Sequence, residues 1–378
     1  MLAVEGGRIR HAGPRDGFDP AGWPAPHVLE PGQVLVPGLV DAHCHGGFGA
    51  DFPSSGEAPV RTALDLLHRH GTTTTVASLV TASEEDLLRA VSLFGSLATE
   101  GLVAGIHLEG PFLSHIRCGA QDPQWLRKPD LPLTEELIRV SRGTIRVMSY
   151  APELPGSREL VEFLTAHAVV PSIGHTDADA PTTEMALATA RDLLRSGPGR
   201  NRDLLPTVTH LFNAMPAIHH RNPGPALASL RLAARGEAIV ELIADGTHVD
   251  PYMVAAVFEL VGADNIALVT DSMAAAGLPD GTYRLGPAEV RVTGAEATLK
   301  TTGAIAGGTA TMVRVLKEAV EAGVRFGDAL RSATVVPARV LGLTGHVGRL
   351  APGLDADAVV LGSDLQVARV MRKGTWIA

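Results

Sequence analysis

Cysteine is nearly absent from this 378-residue sequence: Cys44 and Cys118 are the only two, too few for a disulfide framework. No basic tract stands out either. The 32 basic residues are outnumbered by 41 acidic ones, for a net charge of −9, which argues against a nucleic-acid backbone as partner. A phosphate-bearing small molecule is still compatible, because one or two placed cations can hold it. No uninterrupted apolar stretch is long enough to span a bilayer, and no charged start leads into an apolar run and a small-residue cleavage site. No membrane partner and a cytoplasmic location are therefore expected. Aromatic residues make up only 4 % of the chain, against abundant Ala, Gly, Arg and Pro; that bias suits a GC-rich genome and says little about function.

What is present is an ordinary globular composition, 45 % hydrophobic and 19 % charged. One unit recurs along it: a short apolar run, a polar tip with Gly or His, then an amphipathic stretch. The apolar runs are Leu39–His45, Thr73–Leu79, Val103–Glu109, Ile145–Tyr150, Val169–His175, Thr207–His210, Ala238–Ala244 and Asn265–Asp271. Helical patterns between them include Pro59–His70, Glu84–Ala98, Thr134–Ser141, Ser157–His167 and Thr182–Arg195. Near-continuous apolar strands alternating with helices imply a parallel sheet, and eight such units close most naturally into a (β/α)8 TIM-type barrel. Barrels of this kind take about 250 residues, which leaves roughly 100 over. The two ends carry short alternating strands, Leu2–Glu5 and Arg8–His11 against Asp357–Leu361 and Val367–Met371. They are expected to pair into one small β-sandwich domain, residues 1–36 with 345–378, beside a catalytic barrel of residues 37–344. An insertion at Leu278–Thr302 has hairpin character, and the last helices are expected at Thr309–Ala322 and Phe326–Leu341, with Pro337 starting a new helix in the second.

Five of the runs end in a residue suited to metal or proton chemistry: His45, Glu109, His175, His210 and Asp271. Barrel active sites lie at the C-terminal ends of the strands, so these tips converge. In Asp41-Ala42-His43-Cys44-His45 the two histidines are two apart and face one side of a strand, as a metal pair or as satisfied core residues. Glu109 closes Gly105-Ile106-His107-Leu108-Glu109, where a lone carboxylate must be paired, hydrated or metal-bound; His107 reads as a hydrogen-bonded support. His175 and His210 are each ambiguous alone, but their joint placement at strand ends favours ligation. Imidazole donors suit zinc or iron. Asp271 can shuttle a proton to and from a water, or simply cap a helix. Three further features concern the substrate. Arg221 offers paired donors to a phosphate or is a solvated surface cation, His248 can donate to a phosphate or a carbonyl, and Ile305-Ala306-Gly307-Gly308 lets a ligand approach the backbone.

With these residues assembled, the sequence resembles the amidohydrolase superfamily and, within it, the N-acetylglucosamine-6-phosphate deacetylases. The resemblance covers nearly the whole chain. It rests on His107-Leu108-Glu109-Gly110-Pro111-Phe112 with Gly119-Ala120-Gln121, on Gly174-His175-Thr176, and on Thr209-His210-Leu211-Phe212-Asn213-Ala214-Met215-Pro216. Ala244-Asp245-Gly246-Thr247-His248, Val269-Thr270-Asp271 and Pro337-Ala338-Arg339 also carry it. It implies that Glu109, His175 and His210 hold the main divalent metal, and that His43 and His45 support a second with Glu109 bridging, one or two ions in all. Asp271 would shuttle the proton, and His248 would help the metal stabilise the developing oxyanion. Ala120, Asn213, Ala214, Arg221, His248, Ile305, Ala306 and Gly307 would contact a sugar phosphate. The implied reaction is hydrolysis of N-acetylglucosamine 6-phosphate to glucosamine 6-phosphate and acetate, in a homodimer whose phosphate-binding arginine crosses the interface. Rival readings are the galactosamine isomer or a cyclic amide as substrate, and a barrel kept only as a scaffold. The loop Ser114-His115-Ile116-Arg117-Cys118 departs from the family pattern, as does Gly308 where serine is usual.

Overall fold

The computed structural model describes residues 1–197 and 203–378. Seven strands form one parallel sheet in the spatial order Ile266–Leu268, Ile239–Leu242, Thr207–Val208, Val170–Ile173, Ile145–Tyr150, Ile106–Glu109, Ala77–Val80. The second barrel strand is broken at Val76. Its first half, Thr72–Thr75, pairs in parallel with Leu39–Asp41, the first strand. The ring closes just beyond: Cys44 bridges Ser272 in parallel, the Asp271 N–H donates to His43 O at 2.9 Å, and the Ser78 N–H donates to Cys44 O at 2.8 Å. The fold is a (β/α)8 barrel with a small β-sandwich made from the two termini.

The strands are buried on both faces, which is why they read as unbroken apolar runs. Helices cover the outside with one apolar stripe each. In Glu84–Thr99 the Ser83 hydroxyl accepts from Asp86 N, three acidic residues occupy the first turn, and Leu87, Ala90, Val91, Phe94 and Leu97 are buried at helical spacing. Two helices absent from the sequence reading, Gly224–Ala234 and Pro251–Val261, complete the ring on the side of the sixth and seventh strands.

Several strand ends are shorter than expected. The run Leu39–His45 is regular only to Asp41, Thr207–His210 only to Val208, and Asn265–Asp271 only over Ile266–Leu268. The chain has to turn where the functional side chains begin, and ladder pairing stops there. The expected helix Phe326–Leu341 is two helices, Phe326–Ser332 and Val335–Val340; Pro337 lies in the first turn of the second, where its missing N–H costs nothing, rather than at its start. The insertion is a three-stranded antiparallel sheet, Gly281–Leu285, Ala288–Thr293 and Glu296–Leu299. Its buried face, with Leu285, Val290, Val292, Ala297 and Leu299, packs on Val80, Met273, Ala274, Ala275 and Ala306 at the barrel mouth. The termini contribute the hairpin of Leu2–Glu5 with Arg8–Ala12, and a four-stranded sheet of Thr375–Trp376, Val367–Arg372, Ala358–Leu361 and Val34–Pro37. Their shared core is small, built on Ile9, Ala356, Ala358 and Met371 with Leu2, Leu35 and Trp376 against it.

Candidate metal centre

Six of the predicted side chains meet at the C-terminal mouth of the barrel as two adjoining triads. Glu109, His175 and His210 form one; His43, His45 and Asp271 form the other. Glu109 faces both. Its Oε1 lies 3.1 Å from His175 Nε2 and 2.9 Å from His210 Nε2, and its Oε2 lies 3.2 Å from His45 Nε2. Asp271 Oδ1 is 3.3 Å from His43 Nε2 and 3.2 Å from His45 Nε2. Asp271 keeps 11 % of its side chain exposed and the two histidines beside it at most 1 %, so the aspartate is the member of that triad open to a substrate.

In three of the four rings the second nitrogen fixes what the first can do; the fourth, His210, has a buried Nδ1 with no partner among the described residues. His45 Nδ1 donates to Ser78 O at 3.1 Å, His175 Nδ1 to Arg117 O at 2.8 Å, and His43 Nδ1 to Glu241 Oε2 at 3.0 Å. All three partners only accept, so in a neutral ring Nε2 presents its lone pair to the centre. There it meets carboxylate oxygens and other lone pairs, as between His43 and His45 Nε2 at 3.0 Å and His175 and His210 Nε2 at 3.1 Å. Such a knot of acceptors is stable only around positive charge. Two donors about 2.0–2.2 Å from one ion lie roughly 3–4 Å apart, so both triads fit a divalent metal by donor type and by spacing.

The electrostatics say the same. Burial alone would push the His45 imidazole down, yet hydrogen bonds to Asp271 and Glu109 outweigh it and hold the ring up at about 10. His210 is likewise held up at about 9, burial being overcome by Glu109. Burial would raise the Glu109 and Asp271 carboxyls; the surrounding imidazoles hold both below the usual carboxylate range. Local backbone strain accompanies this charge. His175, His210 and Asp271 adopt positive φ of 46°, 30° and 46°, a region costly for side chains with a Cβ and typical of functional strand ends.

The other predicted residues surround this centre less tightly. Asn213 Nδ2 donates to His210 O at 3.3 Å, and Ala214 follows at φ 53°. His248 donates from Nδ1 to Asp245 Oδ2 at 2.8 Å, which leaves Nε2 as its free ring nitrogen. Arg221 is exposed, with Nη1 2.8 Å from His220 Nε2; among the described residues no carboxylate pairs with it. Ala120 packs beside the inserted sheet, Ile305 is exposed and Ala306 buried. Gly307 and Gly308 run against the end of the eighth strand, where the Gly308 N–H donates to Asp271 O at 2.7 Å. A Cβ on Gly308 would lie 2.4 Å from Thr270 O, which gives the departure from serine a physical reason. His107 is a support, as read from sequence: its nitrogens lie 3.0 Å from Ser78 Oγ and 2.8 Å from Ser149 Oγ, and burial followed by the charge of His43 pushes it well below the usual histidine range.

Sequence reading missed three supporting residues. Glu241 is fully buried in the seventh strand and accepts from His43 and from the His210 N–H. Asp41 accepts from Thr270 Oγ1 at 2.6 Å, tying the first strand to the eighth. Gln121 donates from Nε2 to Glu109 Oε2 at 2.6 Å. The two acids had a signal, a charge inside an apolar run that must be paired; Gln121 had none beyond its place in a motif.

A barrel with imidazoles and carboxylates gathered at its mouth and an aspartate ending the last strand is the arrangement of a metal-dependent amidohydrolase, and the profile of the Amidohydrolase family matches residues 206–377. The N-acetylglucosamine-6-phosphate deacetylase of Bacillus subtilis (strain 168) is 33 % identical over 357 residues, covering 90 % of this chain and 84 % of the relative. The N-acetylgalactosamine-6-phosphate deacetylase of Escherichia coli O157:H7 is 32 % identical, covering 90 % and 87 %. Among solved structures, N-acetyl-D-glucosamine-6-phosphate deacetylase from Mycobacterium smegmatis superposes with a TM-score of 0.87 at 39 % identity, over 100 % of this chain and 94 % of that one. It was solved as an aspartate-to-alanine variant in complex with N-acetyl-D-glucosamine-6-phosphate. The chain belongs to the N-acetylglucosamine-6-phosphate deacetylase family.

Proposed function

We propose that this protein hydrolyses the acetamide of N-acetylglucosamine 6-phosphate to glucosamine 6-phosphate and acetate. The observation that carries the reading is the full set of six donors at the barrel mouth, in a chain that aligns along its length with deacetylases of that substrate. Zinc or iron suits these ligands, one or two ions in all: Glu109, His175 and His210 would hold the main ion, and His43 and His45 would support a second with Glu109 shared between them. Bound there, a divalent ion supplies a Lewis acid and lowers the pKa of a water to about 7. Asp271 takes the proton of the attacking water and returns it to the departing amine. Its depressed pKa leaves it ionised and able to accept. His248, oriented by Asp245 through Nδ1, turns its free Nε2 towards the substrate. Asn213, Ala214, Ala120 and the Ile305-Ala306-Gly307 segment line the sugar, and Arg221 holds the phosphate through paired donors.

The same reading divides the chain into residues 1–36 with 345–378 and a catalytic barrel of residues 37–344. It places Arg221 across the interface of a homodimer. Exposed Met185, Ile218, Leu227, Tyr252 and Met253 support that: they lie on three helices that pack side by side and on the loop leading into the second of them. Sedimentation velocity reads the dimer directly, and a monomer would remove this element. Among the described residues no helix is long and apolar enough to cross a membrane, in keeping with a cytoplasmic enzyme acting on a small sugar phosphate.

The test is acetate release from N-acetylglucosamine 6-phosphate, with and without chelator, against the galactosamine isomer and the unphosphorylated sugar. Release that needs both metal and phosphate is expected, and Asp271→Asn should keep bound metal while losing at least about a hundredfold in kcat. No release from metal-loaded protein would send the assignment to other amides.

A further inference from the structure

We infer that Gln121 is a positioning residue for Glu109: its amide fixes which carboxylate oxygen faces which triad, and so governs whether a second ion is held beside the first. The inference rests on the metal reading above.

Gln121 is buried, with 5 % of its surface exposed, in the loop after the third barrel strand. Its Oε1 accepts the Thr81 backbone N–H at 2.7 Å. A backbone N–H is always a donor, so this contact settles the orientation of the amide and leaves Nε2 facing Glu109. The bond from Nε2 to Glu109 Oε2 is short, 2.6 Å, as expected for a donor to an ionised acceptor.

The two Glu109 oxygens therefore differ. Oε1 lies against the His175 and His210 nitrogens, with His43 Nε2 further off at 3.7 Å, whereas Oε2 is held between Gln121 and His45. A glutamate's terminal torsion is broad and roughly two-fold, so burial alone does not choose an orientation. The Gln121 amide chooses it. Being neutral, the amide occupies one lone pair of Oε2 without cancelling the charge, and the other stays directed at the His43, His45 and Asp271 triad. Remove the donor, and Oε1 keeps its two histidines while Oε2 is free to turn away. The loss should then fall on one triad and spare the other.

The experiment is titration of metal-free protein with zinc, followed by calorimetry and by native mass spectrometry, for wild type, Gln121→Met and Gln121→His. Methionine keeps the length and apolar packing of the side chain and lacks the donor. A neutral imidazole can accept from Thr81 with one nitrogen and donate to Glu109 with the other. Wild type should bind two ions. Gln121→Met should bind the first within about threefold of wild type and the second about 10–100-fold more weakly, with Gln121→His between them. Melting temperatures of the metal-free proteins control for folding. Gln121→Met that binds both ions as wild type does, or weakens both equally, would overturn the role assigned to Gln121 and leave the metal reading standing. Wild-type protein that takes up no zinc would overturn both.

Discussion

Glu241 is enclosed completely, yet it carries a carboxylate in the middle of a strand whose neighbours are Val240 and Leu242. Burying such a group costs several kcal/mol unless it is paired and hydrogen-bonded. Here Oε2 is used twice, by the His43 ring and by the His210 backbone, while Oε1 has no partner. The arrangement is a carboxylate behind a metal-facing imidazole, which fixes the ring and raises its basicity. Glu241→Leu should therefore weaken metal binding at the His43 triad by about 10–100-fold and leave Glu109, His175 and His210 loaded. Metal content after dialysis against graded chelator measures this, and equal loss from both triads would contradict it. At this scale the sequence was legible where chemistry-bearing side chains end a strand, as at His45, Glu109, His175, His210 and Asp271. It was not legible where a side chain acts through another, because Glu241 and Gln121 acquire their partners only when distant strands meet.

The elements around the site divide in the same way. Apolar periodicity identified the strands and most helices, since burial on one stripe or two faces leaves a direct imprint. Boundaries moved wherever the backbone leaves the ladder to turn a ligand inward, as after Asp41, Val208 and Leu268. The Gly307-Gly308 segment shows what such a junction demands. Gly307 has φ 72°, and Gly308 lies so close to Thr270 O that a Cβ has no room. Gly308→Ala should shift the end of the eighth strand, costing about 1–3 kcal/mol of stability and lowering kcat through displacement of Asp271. A melting curve beside a kinetic measurement tests it; an alanine variant with wild-type values for both would show that the segment yields freely.

At the scale of the whole molecule, stability should depend on pH through groups remote from the two triads. His68 is buried with Nδ1 2.8 Å from Thr72 O, and burial, followed by the charge of Arg372, pushes its pKa down to about 4. The unfolded chain takes up this proton near 6.5 and the folded one only near 4, so the unfolded state binds more protons between those values. The stabilisation is complete above about 6.5 and is lost as pH falls towards about 4. Denaturant midpoints of metal-free protein should fall across that window, and His68→Gln should flatten the slope. The sequence pI of about 5.9 lies inside the same window, so the net charge passes through zero while this reserve of stability is being lost.

The barrel's seam has one more consequence. The first and last strands are joined by the His43–Asp271 backbone bond and the Cys44–Ser272 bridge, at the site where the donors converge. His43 and His45 leave the ribosome early, but their carboxylate neighbour arrives more than two hundred residues later, and the strap that steadies it follows at Gly308. No nascent fragment that stops short of Asp271 contains both triads. Assembly of both triads is thus tied to completion of the ring, and a translation product truncated before Asp271 lacks part of the donor set.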